Sequence, residues 1–315
     1  MGKYSIHLRN SPAIKQSPCT FPFWITIGIV LLVSPFLEGA TLQPQTIKAF
    51  SRYIENVEKE LNERGKGELP FLRVQESPGN LISLDKELVI IRNLYENDDT
   101  PKGIIHDWLG ATVLEGISLD RALEIITDYK LHERIFDEIV LSKPISSSGD
   151  LIRSHMRFKK EGIVTVITDS IHESRIHRIS DKQAQVFCRS LRVNEIENWG
   201  QEDERLLPEG NDRGILWKLN SYISLEEIED GVIIECRSIN LTRDLPFGIG
   251  LFIGRFIRNL PPESLDLMLH SLRAYIESNP EAPELPRPEK IGDRGQLQVG
   301  DDNSEGTGDR GQLPE

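Results

Sequence analysis

Apolar residues repeat every three or four positions between residues 44 and 64. This spacing places them on one face of an α-helix. The stripe consists of Ile47, Phe50, Ile54, Val57 and Leu61. Pro44 suits the first turn and Gly65 suits the end of such a helix. The pattern therefore predicts a helix over 44–64, followed by short strands at 69–74 and 87–94.

After the polar stretch at 96–103, the helical spacing gives way to an alternation of apolar and polar residues, which is typical of β-strands. Residues 104–114 predict a strand. Ser118 is a good N-cap for a helix over 119–129, and a second short helix follows at about 131–138. Further runs with strand character are 139–145, 151–161, 163–179, 184–197, 215–229 and 231–243.

The last two of these strands are joined by the tight hairpin signal Glu229, Asp230 and Gly231. Glu235 and Arg237 share one face of the final strand. Because charged side chains prefer water, this pair predicts that the face is exposed to solvent near the turn.

Two cysteines, Cys188 and Cys236, fall on the fifth and seventh strands counted from residue 104. If the strands follow chain order, one strand separates them, which is about 9.6 Å at a spacing of ~4.8 Å. A disulfide needs Cα atoms within about 7 Å. The sequence therefore predicts two buried free thiols.

The C-terminal part begins with the apolar, glycine-rich stretch 245–260. Pro261 and Pro262 predict a break, after which 263–278 predicts a helix. Its apolar stripe is Leu265, Met268, Leu269, Leu272 and Ile276. Residues 281–315 are rich in Pro, Gly, Asp and Glu, which predicts a disordered acidic tail.

An antiparallel sheet with one apolar face must cover that face, and the final helix is the natural cover. The predicted fold class is α+β, with a curved antiparallel sheet wrapped around a long C-terminal helix and an N-terminal helical extension. A sheet that curls around a helix encloses space between the two.

Several segments also carry a family resemblance, namely 104–116, 128–132, 213–227, 234–254 and 261–273. They resemble the START/SRPBCC (polyketide cyclase/dehydrase-like) superfamily, and most closely an exported bacterial group of largely uncharacterised members. The resemblance implies a helix-grip fold and a hydrophobic ligand. Two positions depart from that group: Ile223 replaces an aromatic residue, and Asp107 replaces a second histidine.

Composition and charge narrow the class of protein. Apolar residues make up 38% and charged residues 28% of the 315 residues, as in a soluble globular protein. The formal net charge of −13 argues against a nucleic-acid partner, because no basic surplus is available to neutralise phosphates. Three cysteines are too few for a disulfide scaffold or a multi-cysteine zinc site.

The N-terminus has the order of a targeting segment, since basic residues within 1–20 precede the uncharged stretch 21–37. We expect 1–40 to be a signal peptide or a membrane anchor, 41–100 to pack on the main domain, and 101–280 to form that domain, with 281–315 as the tail. The body is then exported to the periplasm or cell envelope, either free or held at the inner membrane by its N-terminal segment.

Alternation and helix spacing select the residues expected to line the enclosed space. They are His106, Trp108, Trp217, Leu219, Ile223, Arg243, Phe252, Met268 and Leu272. His106 is either a hydrogen-bonding or basic group at the mouth, or a core histidine beside Trp108. Arg243 either holds a polar head group or pairs locally with Asp244. The apolar stretch around Phe252 is a gate for an apolar ligand, a membrane contact or plain packing.

No spacing typical of a metal site or an activated nucleophile occurs, so no metal, cofactor or catalytic residue is expected. Three functions remain. The first is non-catalytic binding of a lipid-like or other hydrophobic small molecule in the envelope. The second is a cyclase or dehydratase activity, and the third is an envelope interaction protein whose cavity is filled by its own side chains. A dry cavity of about 300 Å³ or more would favour the first.

Overall fold

A computed structural model describes residues 40–76, 79, 84, 90–94, 100–162, 165–244 and 255–280, without the side chains of 90 and 255–257. The chain divides into two units, Met1–Pro280 and Glu281–Glu315, and every described residue belongs to the first. The expected targeting segment before Ala40, the stretch around Phe252 and the expected tail lie outside the described residues.

The described elements follow the predicted order closely. The helices are α1 (Pro44–Gly65), α2 (Leu119–Thr127), α3 (His132–Ile135) and α4 (Arg255–Ser278), with a 3₁₀ turn at Arg73–Glu76. The strands are β1 (Ala40–Thr41), β2 (Ile90–Asn93), β3 (Gly103–Glu115), β4 (Ile139–Ser148), β5 (Leu151–Lys160), β6 (Val166–Arg178), β7 (Gln183–Glu197), β8 (Arg205–Leu206), β9 (Asn211–Asp212), β10 (Lys218–Ile228) and β11 (Gly231–Arg243).

One antiparallel sheet holds all the long strands, in the order β2-β3-β11-β10-β7-β6-β5-β4. The first and last long strands, β3 and β11, therefore lie side by side. Gly231 starts β11 at φ 151°, and a Cβ there would lie 2.1 Å from the carbonyl oxygen of Leu114, so only glycine fits this hairpin. Register shifts on β4, and on β7 where Leu191 lies between the partners of Ile171 and His172, mark β-bulges, which bend strands and help the sheet to curve.

Helix α4 packs on one face of this sheet, which we call the inner face. Gly110 of β3 lets the helix approach closely, because a Cβ there would lie 2.7 Å from Leu269 Cδ1 and 2.9 Å from Leu265 Cγ. The curved sheet, the two short helices after β3 and the covering α4 confirm the predicted helix-grip fold.

Pro261 and Pro262 do not break the chain as predicted, because α4 begins earlier, at Arg255, and runs through both prolines. A proline lacks the N–H that would bond the carbonyl four residues before it. The two prolines therefore leave the carbonyl groups of residues 257 and 258 without their helical donors.

Helix α1 covers the opposite, outer face. Its buried stripe packs on four apolar residues of the sheet, namely Ile105, Phe187, Ile239 and Leu241. The buried residues of the helix are Thr46, Phe50, Ile54, Val57, Leu61 and Arg64. The sheet thus has an apolar layer on each side, the inner one under α4 and the outer one under α1.

The prediction that Glu235 and Arg237 face solvent is wrong, since they are only 4% and 7% exposed. Glu235 accepts hydrogen bonds from the backbone N–H groups of Arg73 and Val74, at 3.1 and 2.9 Å. Arg237 is covered by α1. Segments distant in sequence therefore supply the partners that keep both charges inside.

The strand predicted at 69–74 is also wrong, because this region ends in the 3₁₀ turn. Its apolar residues Phe71, Leu72 and Val74 are buried in a cluster beneath the outer face. Two of its N–H groups bond the Glu235 carboxylate instead of a neighbouring strand. The carboxylate of Glu235 therefore takes the place of the strand-to-strand hydrogen bonds that the sequence pattern predicted.

The prediction of two free thiols is confirmed for Cys188 and Cys236. They lie on β7 and β11, with β10 between them. Burial raises the pKa of both thiols, that of Cys236 to about 12. Both are therefore protonated and unreactive near neutral pH.

Candidate functional site

A cavity of about 270 Å³ lies between the inner face, α4 and the α2–α3 segment. Among the described residues, β10 and β11 contribute Leu219, Ser221, Ile223, Ile234, Ser238 and Asn240. From α4 the lining residues include Leu260, Ser264, Leu265, Met268, Ser271 and Leu272. Most of this surface is apolar, and its described polar groups include serine and threonine hydroxyls, two histidines, one asparagine and four charged side chains.

The space exists because short side chains stand in register across four strands. Ser238 pairs with Ser221, Ser221 with Cys188, and Cys188 with Ser174. The first three of these residues line the cavity. Where the side chains are short, α4 cannot fill the gap to the sheet, whereas at Gly110 the helix touches it directly. We call these four residues the small-residue row.

Aromatic residues of the α2–α3 segment close the far end of this row. The Tyr129 hydroxyl is hydrogen-bonded to Ser174 Oγ at 2.5 Å. The His132 ring lies 4.8 Å from the Tyr129 ring and 5.4 Å from Phe136, centre to centre. All three aromatic residues line the cavity, and none was selected from the sequence.

A histidine and a thiol meet in the lining without forming a reactive pair. Cys188 Sγ lies 3.7 Å from His172 Nδ1, and His172 Nε2 lies 2.8 Å from Ser170 Oγ. Burial lowers the pKa of His172 to about 4 and raises that of Cys188. Both shifts disfavour a thiolate–imidazolium pair, so the two groups stay neutral at pH 7.

Charged lining residues cluster where β4 and β5 meet α3, at Asp137, Glu138, Lys159 and Lys160. Lys160 forms an ion pair with Glu138. Lys159 pairs with Glu161 at 2.6 Å. Both lysines of the lining therefore already have an anionic partner.

Four of the nine residues selected from the sequence lie on the cavity wall: Leu219, Ile223, Met268 and Leu272. His106 lies beside this wall on the inner face, paired across the strands with Asn240, and its Nε2 is 3.0 Å from the hydroxyl of the lining residue Thr242. Burial, with a smaller contribution from the charge of Arg258, lowers the pKa of His106 to about 4, so the ring is neutral at pH 7. Trp108 packs against the core under α4 rather than forming part of the described lining.

Trp217 and Arg243, which we expected on the cavity wall, lie elsewhere. Trp217 precedes the first residue of β10, does not follow its alternation, and packs in the outer core with its Nε1–H donating to Asp212 Oδ1 at 2.9 Å. The Arg243 side chain lies over Gly214, where an added Cβ would be 2.7 Å from Arg243 Cβ. Phe252, the remaining candidate, lies outside the described residues.

Away from the cavity, Glu195 and Asp212 form a buried acidic pair that the sequence did not reveal. Glu195 Oε1 accepts from the Ile215 N–H at 2.7 Å and Asp212 Oδ1 from the Gly214 N–H at 2.7 Å. Glu195 Oε2 and Asp212 Oδ2 are buried without a hydrogen-bond partner. Burial, followed by the charge of Asp212, raises the pKa of Glu195 to about 7.

This pair predicts a pH-dependent stability. The folded state holds the Glu195 proton more tightly than the unfolded chain, so the contribution is complete below about pH 4.5 and is lost as the pH rises through 7. Glu195→Gln keeps the acceptor for Ile215 and cannot ionise. We expect the variant to be more stable than the wild type at pH 8, by up to roughly 3 kcal/mol, with little difference at pH 4.

Urea unfolding of wild type and variant at both pH values measures this difference. Glu197→Gln is the matched control, because its carboxylate lies on the same strand but is paired with Arg205 and Arg213. That variant should show no gain at pH 8. An equal difference between wild type and Glu195→Gln at both pH values would show that folding does not change the pKa of Glu195.

No helix within the described residues has the length and apolar character needed to cross a membrane. In the same part of the chain, no three histidine, cysteine, aspartate or glutamate side chains come together as a metal site.

The similarity of the chain to known proteins is distant. No family model matches the chain, and no curated protein matches it. The chain is similar to the structure of a STAR-related lipid transfer protein from Xanthomonas axonopodis, with 12% identity and a TM-score of 0.42 over 61% of this chain and 94% of that one.

Two further solved structures are similar to the chain at a comparably low identity. A START superfamily protein from Mycobacterium smegmatis has 12% identity and a TM-score of 0.35, over 56% of this chain and 97% of that one. The Zhui aromatase/cyclase from a Streptomyces species has 10% identity and a TM-score of 0.35, over 61% and 98%. The helix-grip fold, and with it the likeness to the START/SRPBCC superfamily, rests on this chain's own strand order and on the position of α4.

Proposed function

We propose that this protein binds one lipid-like or other hydrophobic small molecule in the cavity under α4 and does not change it chemically. The observation that carries the proposal is the small-residue row, which keeps a mostly apolar space open between the sheet and its covering helix. A folded chain normally fills its interior, so a gap lined by Leu219, Ile223 and Met268 favours an apolar occupant.

The size of the cavity fits a compact ligand. Its volume of about 270 Å³ is slightly below the ~300 Å³ that we expected, which is also the lower end of the range for small-molecule sites. An interior filled by the protein's own side chains, the third function considered, would not leave this space.

The acid–base groups near the cavity favour binding over a cyclase or dehydratase reaction. His106 and His172 are both neutral at pH 7, and each is hydrogen-bonded to a hydroxyl group of the protein. A general acid or base works best with a pKa near the operating pH. Neither ring meets that condition.

We further propose that this binding takes place in the cell envelope. The support is the order of basic and then apolar residues over 1–37. Expression of the full chain in a bacterium, followed by separation of cytoplasmic, periplasmic and membrane fractions, tests the compartment. Recovery of the intact chain from the cytoplasmic fraction alone would contradict it.

Filling the small-residue row should abolish binding while the fold survives. Ser221→Phe places a large ring at the centre of the row, and we expect the affinity for the neutral fluorescent probe N-phenyl-1-naphthylamine to fall at least tenfold. Fluorescence titration measures the affinity, and circular dichroism with thermal unfolding checks the fold.

Leu191→Phe is the matched control for this experiment, because it adds a ring at an exposed position on the neighbouring strand β7. It should bind the probe as the wild type does. A folded Ser221→Phe protein with wild-type affinity would place the binding site elsewhere, and a wild type that binds no probe would refute the proposed function.

A further inference from the structure

Two buried polar atoms in residues that line the cavity have no hydrogen-bond partner, and both are acceptors. Asn240, on the inner face of β11 and 5% exposed, has an Oδ1 to which no group donates. His132, on α3, has a buried Nδ1 to which no group donates a hydrogen bond. The other buried side-chain atoms without partners belong to residues outside the described lining.

The Asn240 carboxamide has most of its hydrogen-bonding capacity free. It can donate two hydrogen bonds and accept two. It makes one long contact, from Nδ2–H to Ser238 Oγ at 3.5 Å. By contrast Asn220, at an equally buried position on the neighbouring strand, has its Oδ1 bonded to the Ser190 N–H at 3.1 Å.

The His132 ring is fixed in the orientation that leaves an acceptor free. Its Nε2 lies 3.0 Å from the carbonyl oxygen of Ile126, so Nε2 carries the proton and donates. Burial lowers the pKa of His132, so the ring is neutral and Nδ1 is a lone pair. The two unmet acceptors come from opposite sides of the cavity, because β11 adjoins β3 whereas α3 packs on the distal strand β4.

A buried acceptor without a partner costs free energy, and a ligand that donates to it recovers that loss. Both lysines among the described lining residues are paired, with Glu161 and Glu138, so neither is available to balance a carboxylate ligand. A hydrocarbon would leave both acceptors unmet, and an acid would bring an uncompensated charge.

We propose, on the basis of the proposed function, that the ligand is a neutral alcohol: an apolar body carrying a hydroxyl that donates to Asn240 Oδ1, with His132 Nδ1 as the acceptor for a second hydroxyl. The site then selects ligands that can donate a hydrogen bond to these acceptors. The remainder of the ligand is bound through its apolar surface.

Three probes of the same chain length test the inference on the wild-type protein by isothermal titration calorimetry. They are 1-decanol, its methyl ether, which cannot donate, and decanoate at pH 8. We expect the alcohol to bind about tenfold more tightly than the ether, the value of one good buried hydrogen bond, and decanoate to bind most weakly.

Asn240→Leu keeps a similar volume and removes the acceptor. It should bring the alcohol's affinity close to that of the ether, and leave the ether's affinity within about twofold of the wild-type value. Asn279→Leu is the matched control, because it makes the same change at an exposed residue outside the described lining, and it should bind all three probes as the wild type does. His132 is tested with 1,10-decanediol, whose second hydroxyl should make it bind the wild type more tightly than 1-decanol does, an advantage that His132→Phe should remove. Thermal unfolding checks the fold of every variant.

The outcomes separate the two proposals. If none of the probes binds the wild type, the proposed function fails and the alcohol inference with it. If alcohol, ether and acid bind equally, or decanoate binds best, the cavity binds apolar molecules but the inference is overturned. Because the wild-type series alone decides this, a variant that does not fold leaves the test intact.

Discussion

Replacing Arg237 with alanine should lower the free energy of unfolding by about 3–5 kcal/mol, because it leaves a buried carboxylate without its cation. Arg237 Nε lies 3.0 Å from both carboxylate oxygens of Asp107, and its Nη2 lies 2.7 Å from Asp107 Oδ2. Asp107 is fully buried. In the variant, the Tyr53 hydroxyl, which donates to Oδ2 at 2.5 Å, would be the hydrogen bond left to that carboxylate from the described side chains.

The same arginine also ties α1 to the sheet. Its Nη1 donates to Glu60 Oε2 on α1 at 3.1 Å, and Glu60 is in turn bonded to Arg64 and Arg73. Loss of Arg237 therefore removes a link between the sheet and the helix that covers its outer face. We expect amide protons of α1 to exchange faster in the variant, which hydrogen exchange measures directly.

Urea unfolding measures the change in the free energy of unfolding. Two further variants serve as a surface control and as a test of the unpaired charge. Arg178→Ala removes a surface partner of Asp120, where the side chains are 40% and 37% exposed, and should cost under about 1 kcal/mol. Asp107→Asn added to Arg237→Ala removes the stranded charge and should restore part of the loss. A cost for Arg237→Ala as small as that for Arg178→Ala would show that water reaches Asp107.

The sequence predicted the long elements because their signal is local. The strand at 231–243 matches β11 at both ends, and the helix at 44–64 differs from α1 by one residue. A run of alternating or three-and-four spacing needs no knowledge of the rest of the chain. Leu219, Ile223 and the stripe of α4 were placed towards the cavity for the same reason.

What the sequence did not predict depends on residues that meet only in the fold. Glu235 and Arg237 were assigned to solvent because charged residues usually face water, yet their partners come from the region 60–107. Trp217 was assigned by an alternation that begins only at the next residue. The small-residue row needs the register of four strands, which no single segment contains.

The contact of α4 with β3 at Gly110 and Leu269 gives the second large effect. Leu269 is fully buried, so Leu269→Ala should cost about 2–5 kcal/mol. Gly110→Ala alone adds a Cβ 2.7 Å from Leu269 Cδ1, 2.9 Å from Leu265 Cγ and 3.0 Å from Ile91 Cδ1, and overpacking of this kind costs about 1–3 kcal/mol.

The two changes should not add. In the double variant the new methyl group lies where the leucine side chain has been removed, so the cost should be smaller than the sum of the single costs by about 0.5–3 kcal/mol. Urea unfolding of the four proteins measures this coupling. A control cycle pairs Gly110→Ala with Ile239→Val, which lies on the outer face, and should be additive within about 0.5 kcal/mol. Additivity of the Gly110 and Leu269 changes would mean that α4 does not rest on β3 at this point, and the cavity beside that contact would lose the support that keeps it open.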